Sequence, residues 1–490
     1  MITVDHNLTC PLYRQIYDQV KQLIVSGAYP AGTKLMPIRK LAEELTISRN
    51  TVEAAYLQLS SEGYISSRTG SGFTVESLYL SNPVIQLDEN ESSESFRLRL
   101  RQTALWGDGT DGAEASLAES APKVSTLYDF TYGNLEDNSF PSQVWRKLTA
   151  DVLMSEGSAK ASYYTDSLGE RGLRVQIANY LHIHAGVNCH PAQVVIQGGT
   201  QPSLLNLLTL FDPLRDVIAM EQPGYDGVFS VFKNNRFKLF PIPVYKSNDD
   251  FIEALYNSHA RLAYVTPSNQ FPTGKTLPLA IRQRLLRWAN EENAYIIEDD
   301  YCREYRYNTG PLPSLQALDH NNRVIYMGTF SKALSPALRL NYLVLPPDLL
   351  FEWNRQFDCN YAGVPWLTQA VLEEYMKQGY WDKRLRKMQT VNKRKYTLLK
   401  SVLQERMGAK IDIRESGSGL HLLVGDLMQR RQSDLVDLAR REGVLVYNTN
   451  RYWISSRHPM ENYVLVGFSA IPECSIEPGI EALARAWYGL

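Results

Sequence analysis

Cysteine is scarce in this chain. Five residues, Cys10, Cys189, Cys302, Cys359 and Cys474, are scattered through 490 positions. Odd in number and without a CxxC pair, they suggest neither a disulfide framework nor a zinc site. Long apolar runs are missing too, and no stretch of about 18 apolar residues offers a membrane span. The N-terminus, Met1-Ile2-Thr3-Val4-Asp5-His6, lacks the basic and apolar regions of an export signal. A charge of one sign is also absent. The formal net charge is -2, so any surface for nucleic acid has to be local. These absences make a cytoplasmic protein the expectation. What is present, 44% hydrophobic and 21% charged residues, is the composition of a globular protein. A chain of 490 residues exceeds one ordinary core, so two or more domains are expected.

Leu12, Ile16, Val20, Leu23 and Ile24 recur at helical spacing and predict a helix between Pro11 and Ser26-Gly27. A short helix follows Pro37, with Ile38, Leu41, Ala42 and Leu45 inward, and Thr46-Ile47 turns the chain. Ser48 is a good N-cap for a third helix, Arg49 to about Ser61, burying Val52, Ala55, Tyr56 and Leu59. Beyond Gly63, Tyr64–Ser67 and Phe73–Val75 read as strands joined by the tip Arg68-Thr69-Gly70-Ser71-Gly72. Three helices and a hairpin describe a winged helix-turn-helix, whose third helix enters the major groove of double-stranded DNA. Ser48, Arg49, Asn50 and Thr51 would be presented to bases and phosphates. Arg39 on the second helix, with Arg68 and Gly70 in the wing, completes the DNA-binding set. A small helical interaction domain with incidental arginines is the alternative.

From 77 to 126 the hydrophobic periodicity fades. Asp88–Ser95 is polar and acidic and Gly107–Ala113 is glycine-rich, so the stretch reads as a flexible linker. Domain bounds of 1–76, 77–126 and 127–490 follow.

After Tyr128-Asp129-Phe130, strand and helix patterns alternate, which predicts an α/β fold with a mostly parallel sheet. Val194–Ile196 runs into Gly198-Gly199-Thr200-Gln201 and a helix, a strand–glycine–helix start that suits an anion. Val217–Met220 leads to Tyr225 on a tight turn, where an aromatic ring can stack on a planar cofactor. Leu262–Val265 leads to a loop with two prolines, 266–274. Tyr295–Ile297 leads to Asp299 and Tyr301, and a carboxylate at the end of a buried strand is costly unless paired. Val324–Tyr326 leads to Thr329, Ser331, Lys332 and Arg339. A lysine can form a Schiff base with an aldehyde when its neutral form is available. Hydroxyls and a guanidinium suit a phosphate dianion, and a protonated pyridine nitrogen would pair the aspartate. An aldehyde carrying a phosphate on a pyridine ring describes pyridoxal 5'-phosphate (PLP). Each motif follows a strand, as ligand loops do at the carboxyl edge of a sheet.

Leu41-Ala42, Leu45, Ser48–Val52, Ala55-Tyr56, Leu59, Gly63-Tyr64-Ile65 and Gly70–Val75 resemble the DNA-binding domain of GntR regulators. One departure is Leu35-Met36-Pro37, where that family usually has Leu-Pro-Ser. The motifs from Gly199 to Arg339 resemble a fold-type I aminotransferase, and the combination resembles the MocR-type subfamily. The resemblance implies a smaller C-terminal α+β subdomain and a homodimer with each head lying over the partner's large domain. It implies Lys332 as the Schiff-base lysine, Asp299 on the pyridine nitrogen, Tyr301 near the phenolic oxygen and Tyr225 on the ring. Gly199, Thr200, Gln201, Thr329 and Arg339 would hold the phosphate, Tyr164 would reach the neighbouring subunit's phosphate, and Arg451 would bind an effector's carboxylate. The expected effector is PLP itself or an amino acid. An active aminotransferase carrying a DNA-binding head is the alternative. Aminotransferases typically have Asn where this chain has Phe271, and MocR-type proteins commonly have His where it has Asn269.

Overall fold

The computed structural model describes residues 2–5, 11–68, 72–76, 127–308, 312–358, 363–415, 417–455 and 458–490. The chain divides into two compact units, Met1–Glu119 and Ser120–Leu490. The stretch 77–126, read from sequence as a linker, lies outside the described residues.

The first unit holds helices α1 (Leu12–Val25), α2 (Ile38–Glu44) and α3 (Arg49–Ser61), then strands β1 (Ile65–Arg68) and β2 (Gly72–Val75). Ile16, Tyr17, Val20 and Ile24 form the apolar face of α1. They share one core with Leu41 and Ala42 of α2 and with Val52, Ala55, Tyr56 and Leu59 of α3. Ser48 caps α3: the Thr51 amide donates to its Oγ at 3.2 Å, satisfying a donor the helix leaves open. The two strands pair antiparallel, Ile65 opposite Val75. They are stitched to the segment ahead of α2 by the Leu35 amide, which donates to the Phe73 carbonyl at 2.9 Å. Tyr56 fixes the wing against α3, donating to the Met36 carbonyl (3.0 Å) and meeting Phe73 edge-on (5.2 Å).

The second unit is built on a seven-stranded sheet. Its strands are β4 (Val194–Gln197), β5 (Val217–Gln222), β6 (Lys238–Pro243), β7 (Leu262–Val265), β8 (Tyr295–Asp299), β9 (Val324–Thr329) and β10 (Asn341–Val344). A separate two-residue strand, β3 (Tyr128–Asp129), precedes them. The spatial order is β4-β10-β9-β8-β7-β5-β6. β10 runs antiparallel to both neighbours and the other pairings are parallel. Such a sheet must be covered on both faces, which is why its strands are near-continuous apolar runs. Alternate residues divide between the faces. Ile218, Tyr264 and Ile297 pack with Leu204, Val228 and Phe232, whereas Ala219, Ala263 and Ile296 pack with Leu255, Leu285 and Trp288.

A second, antiparallel sheet forms the C-terminal subdomain. It comprises β11 (Ile411–Arg414), β12 (His421–Asp426), β14 (Tyr447–Asn448) and β15 (Tyr463–Gly467), in the order β11-β12-β15-β14. The helices Tyr380–Met407 and Glu473–Tyr488 cover it, with Leu399, Leu403, Ile480 and Leu483 against Leu422, Val424, Val464 and Val466. β13 (Val444–Leu445) does not join that sheet; it pairs in parallel with β3. Among the described residues no helix is long and apolar enough to cross a membrane.

Candidate cofactor site and DNA-reading head

The loops that matter lie at one sheet edge, because β4, β5, β7, β8 and β9 all point the same way and β10 enters there. Asn341, the first residue of β10, sits opposite both Gln197 and Thr329 and bonds Ser203 at 2.7 Å. This contact ties the glycine turn after β4 to the end of β9.

Lys332 follows β9 by three residues. Its Nζ lies 3.5 Å from the Gly133 carbonyl and 4.5 Å from the centroid of the Tyr132 ring. A Cβ at Gly133 would come within 3.1 Å of that nitrogen, so the glycine makes room for the amine. Burial lowers the lysine pKa, opposed by Cys302 and Asp299. The neutral, nucleophilic form gains accordingly.

Asp299 closes β8 and accepts a hydrogen bond from the Tyr264 hydroxyl at 2.5 Å. Burial pushes its carboxyl up to about 7, against the Tyr264 bond and the nearby Lys332 charge. The adjacent Asp300 takes the local cation, Arg303 (2.9 Å), together with the Tyr326 hydroxyl (2.9 Å). Asp299 therefore faces the site as a buried acid held by a neutral donor.

Gly199 adopts φ +113 at the start of the helix Thr200–Leu208. A Cβ there would lie 2.3 Å from Nη2 of Arg339, so the guanidinium rests directly over the glycine. Helix-start amides and an arginine beside a bare backbone make an anion cradle. Thr329 borders it, its Oγ accepting from the Ser331 amide at 3.1 Å. Gln201 is adjacent to the Tyr225 turn, donating to the Gly227 carbonyl at 3.4 Å. Tyr225 meets Phe271 edge-on at 6.0 Å.

Phe271 is the hub of an aromatic wall, with Tyr452 at 4.8 Å, Tyr132 at 5.0 Å, His421 at 5.4 Å and Tyr301 at 6.4 Å. The Tyr301 hydroxyl bonds Asn269. Two expected residues lie at the exterior. Tyr164 is 81% exposed, and Arg451 is exposed and ion-paired with Asp226. Tyr132, Gly133, Tyr264, His421, Asn341 and Asp226 were not singled out from sequence. The Tyr132-Gly133 pair carried a usable signal, a small residue after an aromatic at the start of the α/β region.

In the head, Ser48, Arg49 and Asn50 are exposed at the start of α3, and Thr51 is half-buried. Arg39 is exposed and pairs with Glu43 at 3.2 Å. Gly70 and the Arg68 side chain lie outside the described residues.

The second-unit residues fit PLP: an amine with a lowered pKa, a buried acid whose hydrogen bond comes from a neutral hydroxyl, and an anion cradle that a methyl group at Gly199 would fill.

Residues 12–75 match the bacterial regulatory proteins of the gntR family, and residues 126–456 match aminotransferase class I and II. The solved kynurenine aminotransferase of Pyrococcus horikoshii shares the fold, with a TM-score of 0.66 and 22% identity, covering 83% of this chain and 96% of that one. The uncharacterized HTH-type transcriptional regulator YdeL of Bacillus subtilis is 35% identical over 489 residues, 99% of this chain and 98% of its own. The probable rhizopine catabolism regulatory protein MocR of Rhizobium meliloti is 30% identical over 493 residues, 100% of this chain and 96% of its own. A winged helix-turn-helix joined to a fold-type I aminotransferase-like domain defines an HTH-type transcriptional regulator. The chain belongs to the MocR-type subfamily of GntR regulators.

Proposed function

We propose that this protein is a homodimeric regulator that holds PLP on Lys332 and relays the state of that site to its DNA-reading head. The observation that carries the reading is the convergence of Lys332, Asp299 and the Gly199–Arg339 cradle at one sheet edge. When bound, the cofactor supplies an electrophilic carbonyl and an electron sink. The Lys332 amine, whose neutral form burial favours, is the group that would hold the carbonyl. Asp299 would pair the pyridine nitrogen, a cationic partner that favours the ionised carboxylate. Arg339, Thr329 and the amides of Gly199, Thr200 and Gln201 would bind the phosphate, joined by Tyr164 of the second copy. Tyr225 would cover the ring and Tyr301 would lie near the phenolic oxygen. Arg451 receives the carboxylate of an amino-acid effector.

Residues 1–76 form the head, 77–126 the connector and 127–490 the sensing and dimerising part. A ligand switches the protein only if it binds two arrangements of these parts with different affinity. A second reading, an aminotransferase in its own right, is favoured by the same lysine and aspartate. It predicts multiple-turnover amino transfer to a 2-oxo acid.

The test is an absorption titration with PLP on wild type and Lys332→Ala, alone and with a panel of amino acids, alongside footprinting of the operator. A lysine-dependent band, shifted by particular amino acids and accompanied by a changed footprint, supports the regulator. A band with footprints identical in both proteins would sink the coupling. No band at all would remove the cofactor.

A further inference from the structure

Three contacts stitch the turn carrying Tyr225 to the loop carrying Arg451. The Gly224 amide donates to the Tyr452 carbonyl at 2.9 Å. Gln222 Nε2 donates to Ser455 Oγ at 3.0 Å. Arg451 donates through Nε to Asp226 Oδ2 at 2.5 Å, and its Nη2 reaches the same oxygen. Asp226 opens the helix Asp226–Asn234, where the helix dipole favours an acid. Its side chain is 18% exposed and that of Arg451 is 68% exposed, so the guanidinium is open to solvent while engaged. Tyr452, next in sequence, lies 4.8 Å from Phe271. The ion pair therefore sits at the rim of the aromatic wall around the site.

Resting on the reading that Arg451 receives an effector carboxylate, we propose that Asp226 is a built-in competitor for that arginine, setting the site's preference between amino acids and amines without a carboxylate. The pair is charge-assisted, though solvent at the exposed guanidinium keeps its contribution modest. An entering α-carboxylate gains only the difference between its own bond and the one it breaks. An amine lacking the carboxylate leaves the pair intact and incurs no such cost. The exchange also removes one of the three stitches, so carboxylate binding loosens the Tyr225 turn from the C-terminal loop. That is a contact difference between ligand classes, which a switch requires.

The probes are L-phenylalanine and 2-phenylethylamine, one body with and without the carboxylate, titrated into PLP-loaded full-length protein by difference absorption. Asp226→Asn keeps the shape and removes the charge. Asp226→Ser, a favourable residue near a helix start, is the second variant, and a melting curve confirms folding for each. The expected result is half-saturation by phenylalanine about three- to fivefold tighter in either variant, from release of a charge-assisted but solvent-screened bond. Phenylethylamine should stay within about twofold of wild type, as its binding breaks no such bond. Arg451→Gln should abolish the effect of Asp226→Asn. Unchanged phenylalanine binding, or equal tightening of both ligands, would overturn the proposal. Should wild type give no Lys332-dependent band, the cofactor reading falls by itself. The competitor is then read by calorimetric binding of 3-phenylpropanoate to unloaded protein. Tightening by Asp226→Asn supports it and an unmoved affinity overturns it.

Discussion

The hydroxyl of Tyr301 lies 2.9 Å from both the backbone carbonyl and the side-chain Oδ1 of Asn269. The amide orientation is fixed on its other side, where Nδ2 donates to Ser418 Oγ (3.0 Å) and faces the Gly274 carbonyl (3.5 Å). Both atoms facing Tyr301 are therefore acceptors, and the single phenolic proton is committed to Asn269. The Tyr301 oxygen in turn accepts from the Tyr132 hydroxyl.

On the proposed reading, Asn269→Ala removes one of the two acceptors that hold that proton and leaves the backbone carbonyl of residue 269, so the proton becomes partly available to the phenolic oxygen of the cofactor. A donor favours the ionised oxygen, so the pH midpoint of the Lys332-dependent absorption band should fall, by less than about one unit because the backbone carbonyl still competes for the proton. Spectrophotometric pH titration of both proteins checks this. A midpoint unchanged in Asn269→Ala would mean that Tyr301 does not control the chromophore.

Gly199→Ala should weaken PLP binding by about tenfold or more, because the new methyl displaces the arginine that supplies a charge-assisted phosphate bond. The obstructed group is the far end of the Arg339 side chain, but φ +113 also strains an alanine, so a melting curve on Gly199→Ala checks that the fold persists. Fluorescence titration with PLP and with pyridoxal separates the cases, since only the phosphate-bearing ligand should lose affinity. Equal losses for both would point to a disturbed pocket instead.

His421 gives the second unit an acid sensitivity. Its Nε2 lies 2.8 Å from the Pro272 carbonyl, and burial lowers its pKa to about 4. Above the unfolded value of about 6.5 the ring is neutral in both states and costs nothing. As pH falls below that, the unfolded chain takes up a proton that the folded one refuses down to about 4. Stability is therefore lost on acidification, by about 2 kcal/mol between about pH 7 and about pH 5. Denaturant unfolding at the two pH values should give a shallower loss in His421→Gln. Parallel losses would show that the imidazole stays accessible to protons.

In the head, Ser48→Ala removes the cap on α3 and should destabilise that unit by about 1 kcal/mol. Arg49→Ala leaves the cap intact and removes an exposed cation at the same helix start. Its effect should appear in operator affinity and in a shallower salt dependence, with little change in melting temperature. Gel-shift titrations over a range of salt, paired with thermal melts, distinguish the two variants.

Spacing along the chain determined the local elements. Helical periodicity and a capping serine delimit α3, because both act within a few residues. Apolar runs ending in glycine, an acid or, after β7, Thr266-Pro267 locate β4, β5, β7, β8 and β9, because a strand buried on both faces has no polar side. The order of the loops then brings Lys332, Asp299, Tyr225 and Gly199 to one edge, since parallel strands share a direction. Boundaries were less legible: β8 runs through Asp299 and β9 through Thr329, as sheet pairing carries past the last apolar residue. Tertiary structure alone decided which distant partners meet. Lys332 and Gly133 are 199 residues apart, and Arg451 and Asp226 are 225 apart. No local periodicity reaches that far. The reversal of β10, the seating of Asn269 against Tyr301 and the burial of His421 depend likewise on how the two sheets pack. Sequence thus fixed what each segment could become, and close packing of remote segments fixed which charges and hydroxyls have partners.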